Sequence, residues 1–243
     1  MSQKPTVLIS GASRGLGAET AKAAAQLGAN LILTARSEKG LKTTEGHIKE
    51  AGHDGRVTLI SGDLSDNEFC RTLAARVTEV GPLHAAVLNA ARIDPIGAVD
   101  DIDEEEWLRC LHLNLSAPFL LAKKLLPALT QTRGRLITVG TGAATQPIPS
   151  WSAYCASKAA LLMLIRVIAT EKPDITAFSF APGATVPSIR SQNGSHSGQA
   201  AVLVRMSHTV SAGAAMVVSA LNSIMVRVPV RSFGRVSCLL LLR

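Results

Sequence analysis

Short apolar runs alternate along this chain with longer stretches whose apolar positions recur every three or four residues. The runs at 6–10, 30–35, 57–61, 83–89, 134–139 and 175–181 are rich in Val, Ile and Leu and lack polar alternation. That pattern predicts strands buried on both faces. The stretches at 15–27, 38–51, 66–80, 103–129 and 153–171 predict helices. The fourth opens on Asp103, Glu104, Glu105 and Glu106, which suits the positive end of a helix dipole. Lys172-Pro173 stops the fifth. Six strands alternating with helices predict an α/β, doubly wound parallel sheet with helices on both faces, and no repeat or low-complexity linker interrupts it.

Composition narrows the class. A chain of 243 residues, 47% hydrophobic and 18% charged, has enough apolar material for one domain with a sizeable core. Cys70, Cys110, Cys155 and Cys238 form no CxxC pair. A disulfide scaffold or zinc ribbon is excluded as the organising feature, no metal site is expected, and reduced thiols point to the cytoplasm. The first ten residues hold one lysine and a very short apolar run, so no secretory signal is expected. The net charge of +7 invites a nucleic-acid reading, but its distribution argues against one. Residues 1–174 hold all 18 acids against 19 Lys and Arg, whereas 175–243 hold six arginines and no Asp, Glu or Lys. The body is neutral, and a composition shift in the tail creates the basic balance.

The first strand runs directly into Ser10-Gly11-Ala12-Ser13-Arg14-Gly15-Leu16-Gly17 and an alanine-rich helix. In a phosphate-binding reading, Gly11 allows the tight turn, Gly15 lets the backbone approach a pyrophosphate and Gly17 permits close helix–strand packing. A plain strand–helix turn is the alternative. The second strand ends Leu33-Thr34-Ala35-Arg36, with alanine where a carboxylate would bind the ribose 2′-hydroxyl of NAD. Arg14 and Arg36 suit a 2′-phosphate, which points to NADP over NAD, unless both are solvated surface arginines. Asp63, after the third strand, is placed to accept from an adenine amino group. Its alternative role, a helix cap, can be filled by Asp66.

Ser10–Gly17, Leu88-Asn89-Ala90-Ala91, Asn114, Thr141 and Tyr154-Cys155-Ala156-Ser157-Lys158 resemble the short-chain dehydrogenase/reductase family in order and spacing. The resemblance covers about residues 5–183, and the stretch around Trp151–Lys158 is similar to the sepiapterin reductase and benzil reductase branch. It implies a Rossmann-like NAD(P)-binding domain over 1–183 and an NADP-dependent carbonyl reductase or alcohol dehydrogenase with a small-molecule carbonyl or alcohol substrate. Tyr154 and Lys158 are one helical turn apart, so an ammonium can stabilise the phenolate of a proton-donating tyrosine. By the family's pattern, Lys158 also holds the nicotinamide ribose and Asn114 supports a water relay to that lysine. Thr141 stands where the family usually has serine. Its hydroxyl can still donate to the substrate oxygen, while its methyl and stiff χ1 lower the expected rate. By the same resemblance, Asn89 supports the central sheet and lines the cofactor site, Pro182 and Gly183 match the turn after the sixth strand that faces the nicotinamide, and Leu64 is expected among the cofactor-binding residues. The usual glycine of the Asn89 motif is replaced by Ala91. Trp151 and residues 146–150 are expected to line the substrate pocket, with Trp151 suggesting an apolar or aromatic group.

After Gly183 the family pattern stops. Thr185 comes two positions too early for the nicotinamide contact, and residues 184–243 replace the substrate lid and last strand with an atypical tail. The fold is therefore expected to be irregular or incomplete at its C-terminal part. Translation in another frame or through an intron would explain the tail, leaving a truncated, catalytically impaired cofactor binder as the alternative function. The rival is a membrane span over 206–226, which has the right length but carries His208, Asn222 and four serines. A homo-oligomer is implied by the family and put in doubt by this tail. A nucleic-acid arm is not expected, because the arginines are scattered and Phe233 is the only nearby aromatic.

Overall fold

A computed structural model of the chain describes residues 4–182. Its strands are β1 (Thr6–Ser10), β2 (Asn30–Ala35), β3 (Val57–Ser61), β4 (Ala85–Leu88), β5 (Arg135–Val139) and β6 (Thr176–Phe180), all parallel, in the spatial order β3-β2-β1-β4-β5-β6. The order reverses between β1 and β4, so the Rossmann-like switch crevice opens there, beyond the C-terminal ends of the strands. The first three strands coincide with the apolar runs. The last three are trimmed by one or two residues at each end except at Val139.

Alternate strand positions feed two cores. Leu8, Ile32, Ala86, Leu88 and Leu136 face α3 (Asn67–Val80), α5 (Ala117–Thr132) and α6 (Ser152–Glu171), where Leu73, Leu121, Leu125, Leu161 and Ile165 are buried. Val7, Ile9, Leu31, Leu33, Val87 and Ile137 face α1 (Gly15–Gln26) and α2 (Glu38–Glu50) through Ala21, Ala24, Leu41 and Ile48. Burial on both sides is why the strands read as continuous apolar runs.

Side-chain caps open three of the helices. Ser37, Asp66 and Asp103 each accept a backbone N–H of the first turn of α2, α3 and α4 (Glu104–Leu111). The predicted fourth helix needs correction, because it is not continuous. α4 ends at Leu111, a π-helical turn spans His112–Ser116, and α5 then runs to Thr132. The Ala117 N–H bonds the carbonyl of His112, five residues back. Pro118 has no N–H to give the carbonyl of Asn114, so the α-helical ladder cannot continue through this point.

Among the described residues, α6 is the one helix long and apolar enough to cross a membrane, with a mean hydropathy of 1.5. Here it is packed on the sheet, with Ala153, Ser157, Lys158, Leu161, Ile165 and Ile168 buried. The candidate span at 206–226, the shifted-frame tail, Cys238 and Gly183 lie outside the described residues.

Candidate active site

Every sequence-predicted site residue that is described lies at or beyond the C-terminal end of a strand or on a helix packed there. Between β1 and α1, Gly11 and Gly15 adopt φ of +67° and +56°, a region that disfavours side chains. A Cβ on Gly17 would run into the Gly11 carbonyl oxygen, so α1 can approach β1 this closely only through glycine. A Cβ on Gly15 would meet no atom within 4 Å, which leaves the turn open on that side. Gly11 and Gly17 thus meet the tight-turn and close-packing demands that the sequence placed on them. Ser13 and Leu16 are half-buried beside them and Arg14 is exposed.

Asn89, just past β4, ties the turn to the sheet across the switch point. Its Nδ2 donates to the Ser10 carbonyl at 3.0 Å and to that of Gly11 at 3.4 Å. The Ser10 hydroxyl in turn accepts the backbone N–H of Asn89 and of Ala90 at 3.0 and 3.1 Å. On the other side, the buried Thr44 of α2 donates to the Ala12 carbonyl at 2.9 Å. Sequence reasoning missed this support: Thr44 sits three residues beyond Leu41 on the buried face of α2, but nothing in the pattern aimed its hydroxyl at the turn.

Arg36 is exposed immediately after β2. Asp63 is exposed after β3 and accepts the Ser65 N–H at 2.8 Å, while Asp66 caps α3 through the Glu68 N–H at 2.8 Å. The cap therefore falls to Asp66, as expected. Leu64 is buried under α3, and Pro182 is half-buried beyond β6.

The catalytic candidates meet where β5, the π turn and the start of α6 converge. Lys158 is 4% exposed, its Nζ donating to the Val139 carbonyl at 2.8 Å and lying 5.7 Å from the centre of the Tyr154 ring. Burial pushes the lysine down to about 8. Burial also pushes the Tyr154 phenol above its ordinary value, against a hydrogen bond with the Thr141 side chain that lowers it. In the ligand-free chain desolvation dominates the phenol, and Thr141 is the group that offsets it. Thr141 also caps the short 3₁₀ turn Gly142–Ala144 by accepting the Ala143 N–H at 3.3 Å.

Asn114 is 1% exposed. Its Oδ1 accepts the Arg92 N–H at 2.9 Å, and its Nδ2 donates to the Arg92 carbonyl at 2.8 Å and to Ser157 Oγ at 3.1 Å. Ser157 Oγ donates to the Tyr154 carbonyl at 2.8 Å. Ser157 was not among the predicted site residues. Its place three beyond Tyr154 on one helix face was the available signal. Trp151 meets Tyr154 edge to face, ring centres 5.8 Å apart. It follows Ser150, held at φ +69° with its carbonyl accepting the Gly97 N–H at 3.0 Å. Residues 146–150 are exposed.

Fold and site together define a doubly wound α/β domain with a phenol–ammonium pair at the C-terminal end of β5. The chain belongs to the short chain dehydrogenase family, whose profile matches residues 5–198, and it is an oxidoreductase of that family. It is 34% identical over 191 residues to the sepiapterin reductase of Xenopus laevis, covering 72% of each chain. It is 31% identical over 177 residues to an uncharacterised oxidoreductase of Schizosaccharomyces pombe, covering 73% of this chain and 69% of that one. Among solved structures it is similar to an alcohol dehydrogenase from Thermococcus sibiricus complexed with 5-hydroxy-NADP, at TM-score 0.72 and 28% identity, covering 75% and 77% of the two chains. A metagenomic short-chain oxidoreductase in complex with NADP aligns at TM-score 0.69 and 31% identity, covering 74% and 83%.

Proposed function

We propose that this protein is an NADP-dependent oxidoreductase that reduces a ketone or aldehyde, or oxidises the matching alcohol, with Tyr154 as acid and base. The observation that carries the reading is the buried Lys158 ammonium set against a Tyr154 phenol that shares a hydrogen bond with Thr141.

The residues fit a dinucleotide. Gly11 and Gly15 hold the turn in left-handed backbone, the Gly15 side is open, and Asn89 locks the turn to β4. Gly11, Ser13, Arg14, Gly15, Leu16 and Gly17 would cradle its pyrophosphate at the start of α1. Arg14 and Arg36 would pair with a 2′-phosphate, and Asp63 and Leu64 would border the adenine. Asn89, Lys158 and Pro182 would face the nicotinamide half. A nicotinamide dinucleotide held there supplies or accepts the hydride. NADP complexes of the Thermococcus and metagenomic relatives support the choice of cofactor.

The protein's own residues handle the proton. At neutral pH the phenol, raised by burial, carries its proton and can give it to a substrate oxygen during reduction. Thr141 donates to that oxygen and orients it. Lys158, charged below about 8, favours the phenolate left behind, and Asn114 supports the relay that restores the proton. Trp151, edge-on to Tyr154, supports a substrate with a flat apolar flank.

Tyr154→Phe keeps the ring and removes the proton. Turnover of NADPH against a panel of ketones, aldehydes and dicarbonyls is expected to fall about 10²- to 10⁴-fold, with NADPH fluorescence titration unchanged. Undiminished turnover in that variant defeats the assignment.

A further inference from the structure

Asn114 lies in a π turn, where regular helical hydrogen bonding does not aim its side chain. Both polar atoms of its amide are instead clasped by the backbone of Arg92, with Cys110 Sγ 3.7 Å from the same carbonyl. The position of residue 92 therefore decides where Asn114 points. Arg92 is the first residue beyond Asn89-Ala90-Ala91, in the loop leaving β4. Its guanidinium pairs with Glu106 Oε2 at 2.6 Å on the first turn of α4, and Glu106 Oε1 accepts from Arg109. The two arginines hold the Glu106 carboxyl below the usual carboxylate range, so the bridge stays charged across neutral pH. Asp103, the cap of α4, accepts the Glu106 N–H at 2.9 Å and anchors the carboxylate's own backbone. From Asn114 the contacts continue through Ser157 Oγ to the Tyr154 carbonyl.

We infer that Glu106 and Arg92 are positioning residues for the Tyr154–Lys158 pair: their ion pair fixes the Arg92 backbone, which fixes Asn114, which through Ser157 fixes the turn of α6 that carries Tyr154. The inference rests on the proposed role of Tyr154. Neither charged side chain touches the reacting groups. The arginine acts through its main chain, so shortening or neutralising its side chain leaves the clasp of Asn114 chemically possible and only loosens it.

The test uses Glu106→Gln and Arg92→Met in the full chain, with Arg92→Lys and the double variant. Glu106→Gln removes a negative charge and Arg92→Met a positive one. A purely long-range electrostatic effect on the site would move the two variants in opposite directions, whereas loosened positioning moves both the same way. Each is expected to lower kcat about ten- to a hundredfold with little change in KM. The double variant should be no worse than either single one, and Arg92→Lys should recover most of the loss.

A second readout needs no turnover. Tyr154 is the only tyrosine of the chain, so phenolate absorbance near alkaline pH reports on it alone. Burial sets this phenol high, and both variants are expected to bring its titration down toward that of free tyrosine. Opposite shifts in the two variants, or an unchanged phenol titration together with unchanged kcat, overturn the inference. If the wild type turns over no carbonyl compound, the proposed function fails, and the phenol titration still decides the positioning role.

Discussion

At the scale of single residues, the most telling group is a lysine kept out of water. An ammonium 4% exposed with one carbonyl partner is costly to bury, and the fall of Lys158 from 10.5 to about 8 expresses that cost. Between those values the unfolded chain binds a proton that the folded chain has released. Stability attributable to this site therefore rises with pH from about 8 to 10.5. Lys158→Met removes the titration. The unfolding free energy of wild type relative to Lys158→Met, measured by urea denaturation, is expected to shift in favour of wild type by up to about 3 kcal/mol over that window. A difference that stays flat with pH would show that the lysine is not desolvated. The one-turn spacing of Tyr154 and Lys158 was legible in the sequence because helical periodicity alone sets it. The direction of the phenol's shift was not, because burial depends on which loops and helices close over the ring. The placing of Thr141 against that phenol was likewise a product of the β5–α6 approach.

At the scale of elements, strand and helix signals were strong wherever one residue type decides the backbone. Ser37, Asp66 and Asp103 start helices by their side-chain oxygens, and Lys172-Pro173 ends α6. The boundary that periodicity hid is the π turn between α4 and α5. Apolar positions continue at helical spacing through His112–Ser116, and only Pro118, four beyond Asn114, signals the broken ladder. The C-terminal end of α5 was also misplaced, by three residues, because its terminator is Arg133 rather than glycine. Arg133 sits at φ 49° and ψ 43°, left-handed backbone that a Cβ disfavours. Arg133→Gly is expected to stabilise the fold by about 0.5–1 kcal/mol, since glycine takes this conformation freely and repays only part in unfolded-state entropy. Urea denaturation monitored by circular dichroism checks it. A loss of stability would mean that the arginine side chain contributes more than its backbone costs.

At the scale of the whole molecule, the parallel sheet was legible because burial on both faces leaves apolar runs, while the strand order was established only by the pairings. That order is what gathers the site. The ends of β3, β2, β1, β4, β5 and β6 lie along one edge of one sheet, so Asp63, Arg36, the glycine turn, Asn89, Thr141 and Pro182 follow one another across it. A dinucleotide spanning this edge would contact residues carried by both cores at once and should stabilise the fold as a unit. With ligand at 100 times its Kd, linkage adds about 2.7 kcal/mol, equivalent to roughly 5–10 °C in Tm for a chain of this length. Thermal unfolding with NADPH is expected to show a rise of that size, and NADH at equal concentration a smaller one. Arg36→Ala should reduce the NADPH response toward that of NADH while leaving the NADH response unchanged, because in the proposed cofactor pose the arginine's forked donors would serve the 2′-phosphate alone. Equal responses to the two dinucleotides in the wild type would overturn the preference for NADP without touching the proton chemistry of Tyr154. No response to either would overturn the dinucleotide itself.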